Sequence, residues 1–397
     1  MRPGDRLELT IGAVAHGGHC VARHEGRVVF VRHTLPGEQV IAEVTEDGGG
    51  SYLRADAVRI VRAAADRVQP DCPLAVPSGC GGCDWQHVAP AAQRALKGAV
   101  ISEQLQRLAG LYWPVTVVEL PGGAQRWRTR ARFAVDGSGR AGFRAHRSHE
   151  VIAVRDCPIT REEVLAPVLA RRFTAHSEVT STVDSDGAAA VVELTGSGRQ
   201  RRNRTVRGTE TGLHRVAGRE WRISARGFWQ VHEHAARVFS DSVAELAKAQ
   251  PAEHAWDLYG GAGLFAARLA EQVGGRGSVT VVESARRARE DGAAALADLP
   301  QVHFVPSSVD SALHRCVLPA PDVVVLDPPR KGAGRAVVDG IAAAGPRRVV
   351  YVACDPAALA RDVGYFTAAG YELVDVRAYD AFPMTHHVEC IALLLRA

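Results

Sequence analysis

Polar and apolar positions divide the chain into three textures. In the first sixty residues, short alternating runs are separated by turn signals. Arg6–Ile11 alternates, and Val28–Val31 follows the turn His24-Glu25-Gly26-Arg27. Glu38–Val44 and Tyr52–Val61 are set apart by Pro36-Gly37 and Gly48-Gly49-Gly50. Strands at this spacing predict a small β-barrel. Pro90–Leu108 has helical periodicity, with Ala95, Val100, Ile101, Leu105 and Leu108 apolar. From Trp113 to Trp221 the pattern predicts strands at Val115–Leu120, Arg126–Val135, Val151–Val154 and Val191–Leu194, with Gly-rich and Arg-rich loops between them. From Glu253 onward strand and helix alternate. Strands are predicted at His254–Leu258, Ser278–Glu283, Val323–Leu326, Arg348–Ala353 and Cys390–Leu395, and helices at Leu264–Val273 and Ala285–Ala297. Such alternation means βαβ units and a parallel sheet.

The expected architecture is therefore α/β in three parts. A small OB-like β-barrel covers 1–62. A central α+β sheet region takes 63–84 plus 114–222. A doubly wound, Rossmann-like domain takes 85–113 plus 223–397. The 46% hydrophobic and 23% charged residues of the 397 exclude wholesale disorder. No apolar run approaches the ~18 residues of a membrane span, and MRPGDRLELT has no apolar stretch after its basic residue. A cytoplasmic chain without a membrane partner is expected, and a monomer, since nothing points to an obligate dimer.

A net charge of +4 is too small to name a partner, but its distribution is uneven. Between Pro121 and Gln230 there are 20 Arg against 11 acidic residues, a local balance of +9 that leaves −5 for the rest. This asymmetry predicts a polyanion partner for the central region. Arg126, Arg128, Arg130 and Arg132 alternate at period two with Trp127 and Phe133 nearby, so on a strand they would share one face. Arginine forks bind phosphates and aromatic rings stack bases, which makes these four the candidate RNA contacts. A second run is Arg199, Arg201, Arg202, Arg204 and Arg207.

The candidate chemistry lies at predicted strand ends. Asp257-Leu258-Tyr259-Gly260-Gly261-Ala262-Gly263 closes a strand and opens a helix. Glycine there, Gly261 included, lets the backbone approach a ligand. Glu283 ends the next strand, where a carboxylate can accept from a ribose diol. The run does not fit GxGxxG, so a nucleoside without a pyrophosphate, such as S-adenosylmethionine, is the expected ligand. Asp327-Pro328-Pro329-Arg330 follows the apolar strand Val323–Leu326 and gives a stiff wall for a planar base. Tyr351-Val352-Ala353-Cys354-Asp355 ends another strand, and His386-His387-Val388-Glu389-Cys390 precedes the last. A thiolate, a carboxylate base and a methyl donor form a coherent set for adding to C6 of uracil and methylating C5.

Of eight cysteines, Cys72, Cys80, Cys83 and Cys157 have the spacing C-x7-C-x2-C with a distant fourth. Disulfides are not expected in a cytosolic chain of this size. Four thiolates suit a [4Fe-4S] cluster or tetrahedral zinc, and spacing does not separate the two. The C-x3-C-x2-C of radical enzymes is absent, which favours a structural role.

Taken in order, these motifs resemble the RNA uracil-5-methyltransferase family over essentially the whole chain. The order is a TRAM-type barrel, Cys80-Gly81-Gly82-Cys83 with Trp85-Gln86-His87, Cys157-Pro158, Phe228-Trp229-Gln230-Val231, then DLYGGAG, DPPRKG, YVACDP and HHVEC. The resemblance implies methyl transfer from S-adenosylmethionine to C5 of a uridine in structured RNA. It is nearer the bacterial 23S rRNA branch, because the tRNA-type enzymes are taken to lack the barrel and the cluster cysteines. A tRNA uridine enzyme and a catalytically silent RNA-binding or assembly factor are the alternatives. By the same resemblance, Cys72, Cys80, Cys83 and Cys157 hold a [4Fe-4S] cluster. Gln230, Tyr259, Glu283, Asp310 and Asp327 contact the donor, Cys354 is the nucleophile and Glu389 the base. Three positions depart from the family's pattern. Gly260 stands where Cys is usual after the Tyr of the first motif. Leu264 stands where a polar residue is usual, and Asp355 replaces the Asn after the nucleophile. A carboxylate there should disfavour the Cys354 thiolate.

Overall fold

Leu7 and Leu9 point inward from Arg6–Thr10 while Arg6, Glu8 and Thr10 point out, as period-two alternation requires. The computed structural model describes residues 1–196, 198–315 and 318–397, which leaves Cys316 outside. Five strands form the first sheet, in the order Arg6–Thr10, Gln39–Glu46, Tyr52–Arg62, Arg27–Arg32, Cys20–His24. The last two are joined by Glu25-Gly26, both at positive φ, the two-residue turn that suits a twisted hairpin. Gly12 N donates to Val21 O (2.7 Å) and Val21 N to Ala13 O (2.9 Å), which curls the first strand onto the Cys20–His24 strand and closes the barrel. The barrel is not free-standing: Trp85, Val88 and Val100 from the following segment complete its core.

The helix runs Pro90–Gln104 and widens into a π-helical turn at Leu105–Ala109. Its buried face differs from the expected stripe. Ala95 and Leu108 are exposed, whereas Gln93 and Lys97 are buried. Lys97 Nζ donates to Asp380 Oδ1 (2.6 Å) and Phe382 O (3.1 Å), and Gln93 spans Val88 O and the backbone of Met384. Polar partners on the other element reverse the choice that apolarity alone would make.

The central sheet is antiparallel, in the order Arg202–Arg207, Ala189–Thr195, Glu178–Val183, Arg130–Val135, Ala141–Arg144, Val151–Ala153, with the helix Glu162–Leu169 packed on it. The expected strand from Arg126 starts only at Arg130, because Arg126 has a left-handed φ of 53°. The four arginines therefore do not share a face. Arg126 is held by Asp156 (2.8 Å), and Arg128 stacks over Trp127 (5.2 Å). The Arg130 guanidinium donates to the carbonyls of Gly227 and Ser224, while Arg132 is exposed.

The third sheet has eight strands, in the order Val302–Val305, Ser278–Val282, His254–Leu258, Val323–Leu326, Arg348–Ala353, Glu389–Arg396, Tyr371–Asp380, Val117–Glu119. The first five are parallel, and Glu389–Arg396 runs antiparallel to both its neighbours. Its central strands are continuous Val and Leu runs because both faces are covered. This is the doubly wound α/β domain that the alternation predicts. Val117–Glu119 belongs here, on the edge beside Tyr371–Asp380, although it lies within the 114–222 assigned to the central region. No described helix is long and apolar enough to cross a membrane.

Candidate active site

The carboxyl ends of the parallel strands form one wall of a pocket of about 840 Å³. Gln230, Tyr259, Gly261, Glu283, Asp327, Cys354 and Glu389 all line it. Topology explains the convergence, since parallel strands end on one edge of the sheet.

On the donor side, Tyr259 and Gly261 take positive φ (61° and 56°) in the turn after His254–Leu258. A Cβ at Gly260 would lie 2.5 Å from Val281 and 3.0 Å from the Asp257 carboxyl, so packing demands glycine. Gly261 N donates to Glu283 Oε2 (3.1 Å) and Ala285 N to Glu283 Oε1 (2.6 Å). Glu283 is thereby fixed at the pocket edge with lone pairs left for a hydroxyl pair. Asp310 stands apart from the other expected donor contacts. It is exposed on the first turn of Val309–His314 and is not among the residues lining the pocket. Its charge reaches Tyr259, whose hydroxyl is pushed up to about 12 by burial first and Asp310 second.

On the reacting side, strand register does the positioning. Ala353 pairs with Cys390 in the antiparallel ladder, so the next step along each chain sets Cys354 opposite Glu389. Burial pushes the Cys354 thiol up to about 12, with the Glu389 and Asp327 carboxylates adding to it and Arg330 opposing. Glu389 is 4% exposed, and burial, reinforced by Asp327, lifts its carboxyl well above the usual range. Asp327 is raised to about 7 by burial. The arrangement holds a protonated thiol and a carboxyl basic enough to accept a proton.

Other lining residues come from loops: Phe228 and His387 lie within motifs quoted above, whereas Phe382 carried no sequence signal. Phe228 is 71% exposed at the pocket lip, and Phe382 and His387 line its wall. Arg330 donates to His387 Nε2 (3.3 Å). The loop before Glu389 is anchored by the cysteine segment. Trp85 N donates to Met384 O (3.0 Å), and Asp84 Oδ2 meets His386 Nδ1 at 2.7 Å.

Cys72, Cys80, Cys83 and Cys157 line a single pocket together with Arg128. Among the described residues, no three His, Cys, Asp or Glu side chains come together as a site for one metal ion. Beside the barrel, Arg54 stacks over Phe30 (5.9 Å) and Tyr52 (5.5 Å) next to a cleft lined by His19, Arg32 and Arg147. Cations interleaved with rings suit a nucleic-acid strand.

Fold and pocket together define a methyltransferase-type α/β domain joined to a small nucleic-acid-type barrel. Comparison with known proteins agrees. The TRAM domain profile matches residues 2–58, and the profile described as tRNA (Uracil-5-)-methyltransferase matches residues 318–397. A protein of Streptomyces avermitilis named as an uncharacterized RNA methyltransferase is 45% identical, covering 98% of each chain. One of Bdellovibrio bacteriovorus with the same description is 32% identical, covering 98% of this chain and 95% of its own. The crystal structure of Pyrococcus abyssi tRNA (uracil-54, C5)-methyltransferase with S-adenosyl-L-homocysteine superposes with TM-score 0.75 at 22% identity, covering 98% and 99% of the two chains. The chain belongs to the RNA uracil-5-methyltransferase family. The Pyrococcus fold spans the barrel too, so the barrel does not separate rRNA from tRNA enzymes, contrary to the sequence expectation.

Proposed function

We propose that the chain transfers the methyl group of S-adenosylmethionine to C5 of a uridine in structured RNA, through a bond between Cys354 and C6. The observation that carries this is the placement of Cys354 opposite Glu389 on the wall that Gln230, Tyr259, Gly261, Glu283 and Asp327 also line. The donor would lie over the glycine turn with its ribose toward Glu283. The Cys354 thiolate adds to C6, and the electron pair moves to C5, which takes the methyl from the sulfonium and releases S-adenosylhomocysteine. Glu389 then removes the C5 proton, the C5=C6 bond re-forms and the thiolate leaves. The thiol is held up by burial and carboxylates. The cationic sulfonium would add a positive charge near the carboxylates, so donor binding favours the thiolate.

The target we favour is 23S rRNA, on the motif likeness. The tRNA reading is favoured by the profile over 318–397. The experiment is transfer of labelled methyl into unmodified total RNA, with rRNA and tRNA separated afterwards. The expected product is 5-methyluridine in large-subunit rRNA. Cys354→Ala should abolish transfer while donor binding survives, and Glu389→Gln should trap a protein–RNA adduct stable to denaturation. Normal transfer by Cys354→Ala would end the mechanism. Label confined to tRNA would keep the chemistry and change the target.

The four cysteines fit a [4Fe-4S] cluster. They line one pocket, and four thiolates are the donor set that such a cluster takes. A bound cluster would tie Cys157 of the central region to the Cys72–Cys83 segment. Anaerobically purified protein should contain iron and sulfide and absorb in the visible, and Cys83→Ser should lose both. Zinc in place of iron would refute the assignment.

A further inference from the structure

Cys354 faces a second, smaller cavity of about 80 Å³, roofed by the barrel loop Ala15–Gly18. The loop is seated firmly. Trp85 Nε1 donates to Gly18 O (3.0 Å), and Gly18, at a φ of 82°, packs so closely that a Cβ would lie 2.6 Å from His386. From this loop His16 reaches across 339 positions of sequence, and its Nε2 lies 3.0 Å from Asp355 Oδ2. The other Asp355 oxygen accepts from Ala358 N (2.9 Å) and caps the helix Pro356–Ala368. The residue next to the nucleophile is thus shared between a helix cap and a histidine of another domain.

We propose that His16 is a positioning residue for the reaction at Cys354: its imidazolium pairs with Asp355 and cancels the negative charge that this carboxylate would otherwise place beside the thiol. The proposal rests on the reading of Cys354 as nucleophile. The charges around the pair are consistent with it. The hydrogen bond that His16 donates to Asp355 raises the His16 pKa against the effect of burial, and Glu103 adds to the rise. Burial alone would raise Asp355, but the bonds from His16 and the Ala358 amide bring it below its ordinary value. Asp355 stands with Glu389 and Asp327 among the carboxylates that push Cys354 up, and Arg330 opposes them. Lys97, Arg330, His386 and His387 line the same cavity, but His16 is the group bonded to Asp355. Neutralising a nearby carboxylate favours the thiolate, and the benefit lasts only while His16 is protonated.

The test is the rate of iodoacetamide alkylation of Cys354 in the full chain, read by peptide mass spectrometry from about pH 6 to about pH 9.5. His16→Ala should slow alkylation about threefold at the acid end, with the difference vanishing at the alkaline end, where the wild-type imidazole is neutral. His16→Gln, which keeps a hydrogen bond without the charge, should behave as His16→Ala does. Adding Asp355→Asn to His16→Ala should restore the wild-type acid-end rate. A pH-independent change would mean that the loop merely blocks access, and an unchanged rate, a wild-type His16→Gln or a failed rescue would each overturn the proposal. Methyl transfer by Cys354→Ala is scored separately. If it persists while the alkylation pattern holds, the nucleophile reading fails and the pairing stands.

Discussion

Asp257 shows how one residue can make stability depend on pH. It is fully buried, its Oδ2 accepts from Ala266 N (2.9 Å), and its Oδ1 has no partner among the described residues. Burial pushes its carboxyl up to about 8, against one amide bond and with Asp327 and Glu283 adding to the rise. An unfolded chain would release that proton near about pH 3.9. The folded value is the higher one, so the contribution is fully present below the unfolded pKa and is lost as pH rises through about 8. Asp257→Asn keeps the shape and removes the titration. Its melting temperature, compared with wild type from about pH 5 to about pH 9, should rise relative to wild type as the solution becomes more alkaline. A constant difference would show that Asp257 ionises normally. The sequence placed Asp257 at a strand end before a glycine turn. Its missing partner was not legible, because the amide it does meet lies nine residues ahead on a helix whose pitch only the fold sets.

Elements were legible where one physical rule dominates. The central strands of the large sheet are covered on both faces, so Val323–Leu326 and, after Arg348, Val349–Ala353 read as unbroken apolar runs, and both expected strands have the limits they have in the structure. Tyr371–Asp380, beside the short edge strand, mixes exposed and buried positions around a register shift at Leu373/Asp375 and gave no such signal. Arg126–Arg132 misled because period two was read through a residue with positive φ. The helix Pro90–Gln104 misled in a different way: its seam includes Lys97, which is 1% exposed and paired with Asp380 at 2%. A buried pair adds little net stability, but removing one partner strands the other charge. Lys97→Ala should therefore cost about 3–5 kcal/mol in denaturant unfolding, more than an exposed lysine-to-alanine change, and Lys97→Ala/Asp380→Asn should recover part of the loss. Equal losses for single and double variants would mean that the helix packs by its apolar residues alone. The same ammonium also donates to Phe382 O (3.1 Å), so the loop before Glu389 should loosen as well.

At the scale of the whole molecule, the surroundings of Cys354 are a meeting place rather than the property of one domain. The barrel supplies His16, the cysteine segment anchors Met384 and His386, and the large sheet supplies Cys354 and Glu389. Hydrophobic burial follows the same lines. Ile101, Leu105 and Val117 share one core with Val363 and Phe366 of the helix Pro356–Ala368, so 223–397 lacks part of its own interior. A fragment of 223–397 would uncover that apolar seat, leave Asp380 without Lys97 and expose the edge of Tyr371–Asp380, an invitation to strand pairing between chains. It should give no cooperative calorimetric transition and no donor binding. A longer piece, 63–397, keeps the helix and the edge strand but still exposes Trp85 and Val100, which belong to the barrel's core. It should fold with a lowered transition and a slower Cys354 reaction at acid pH, since His16 is gone. A cooperative, donor-binding 223–397 would show that the three parts merely adjoin.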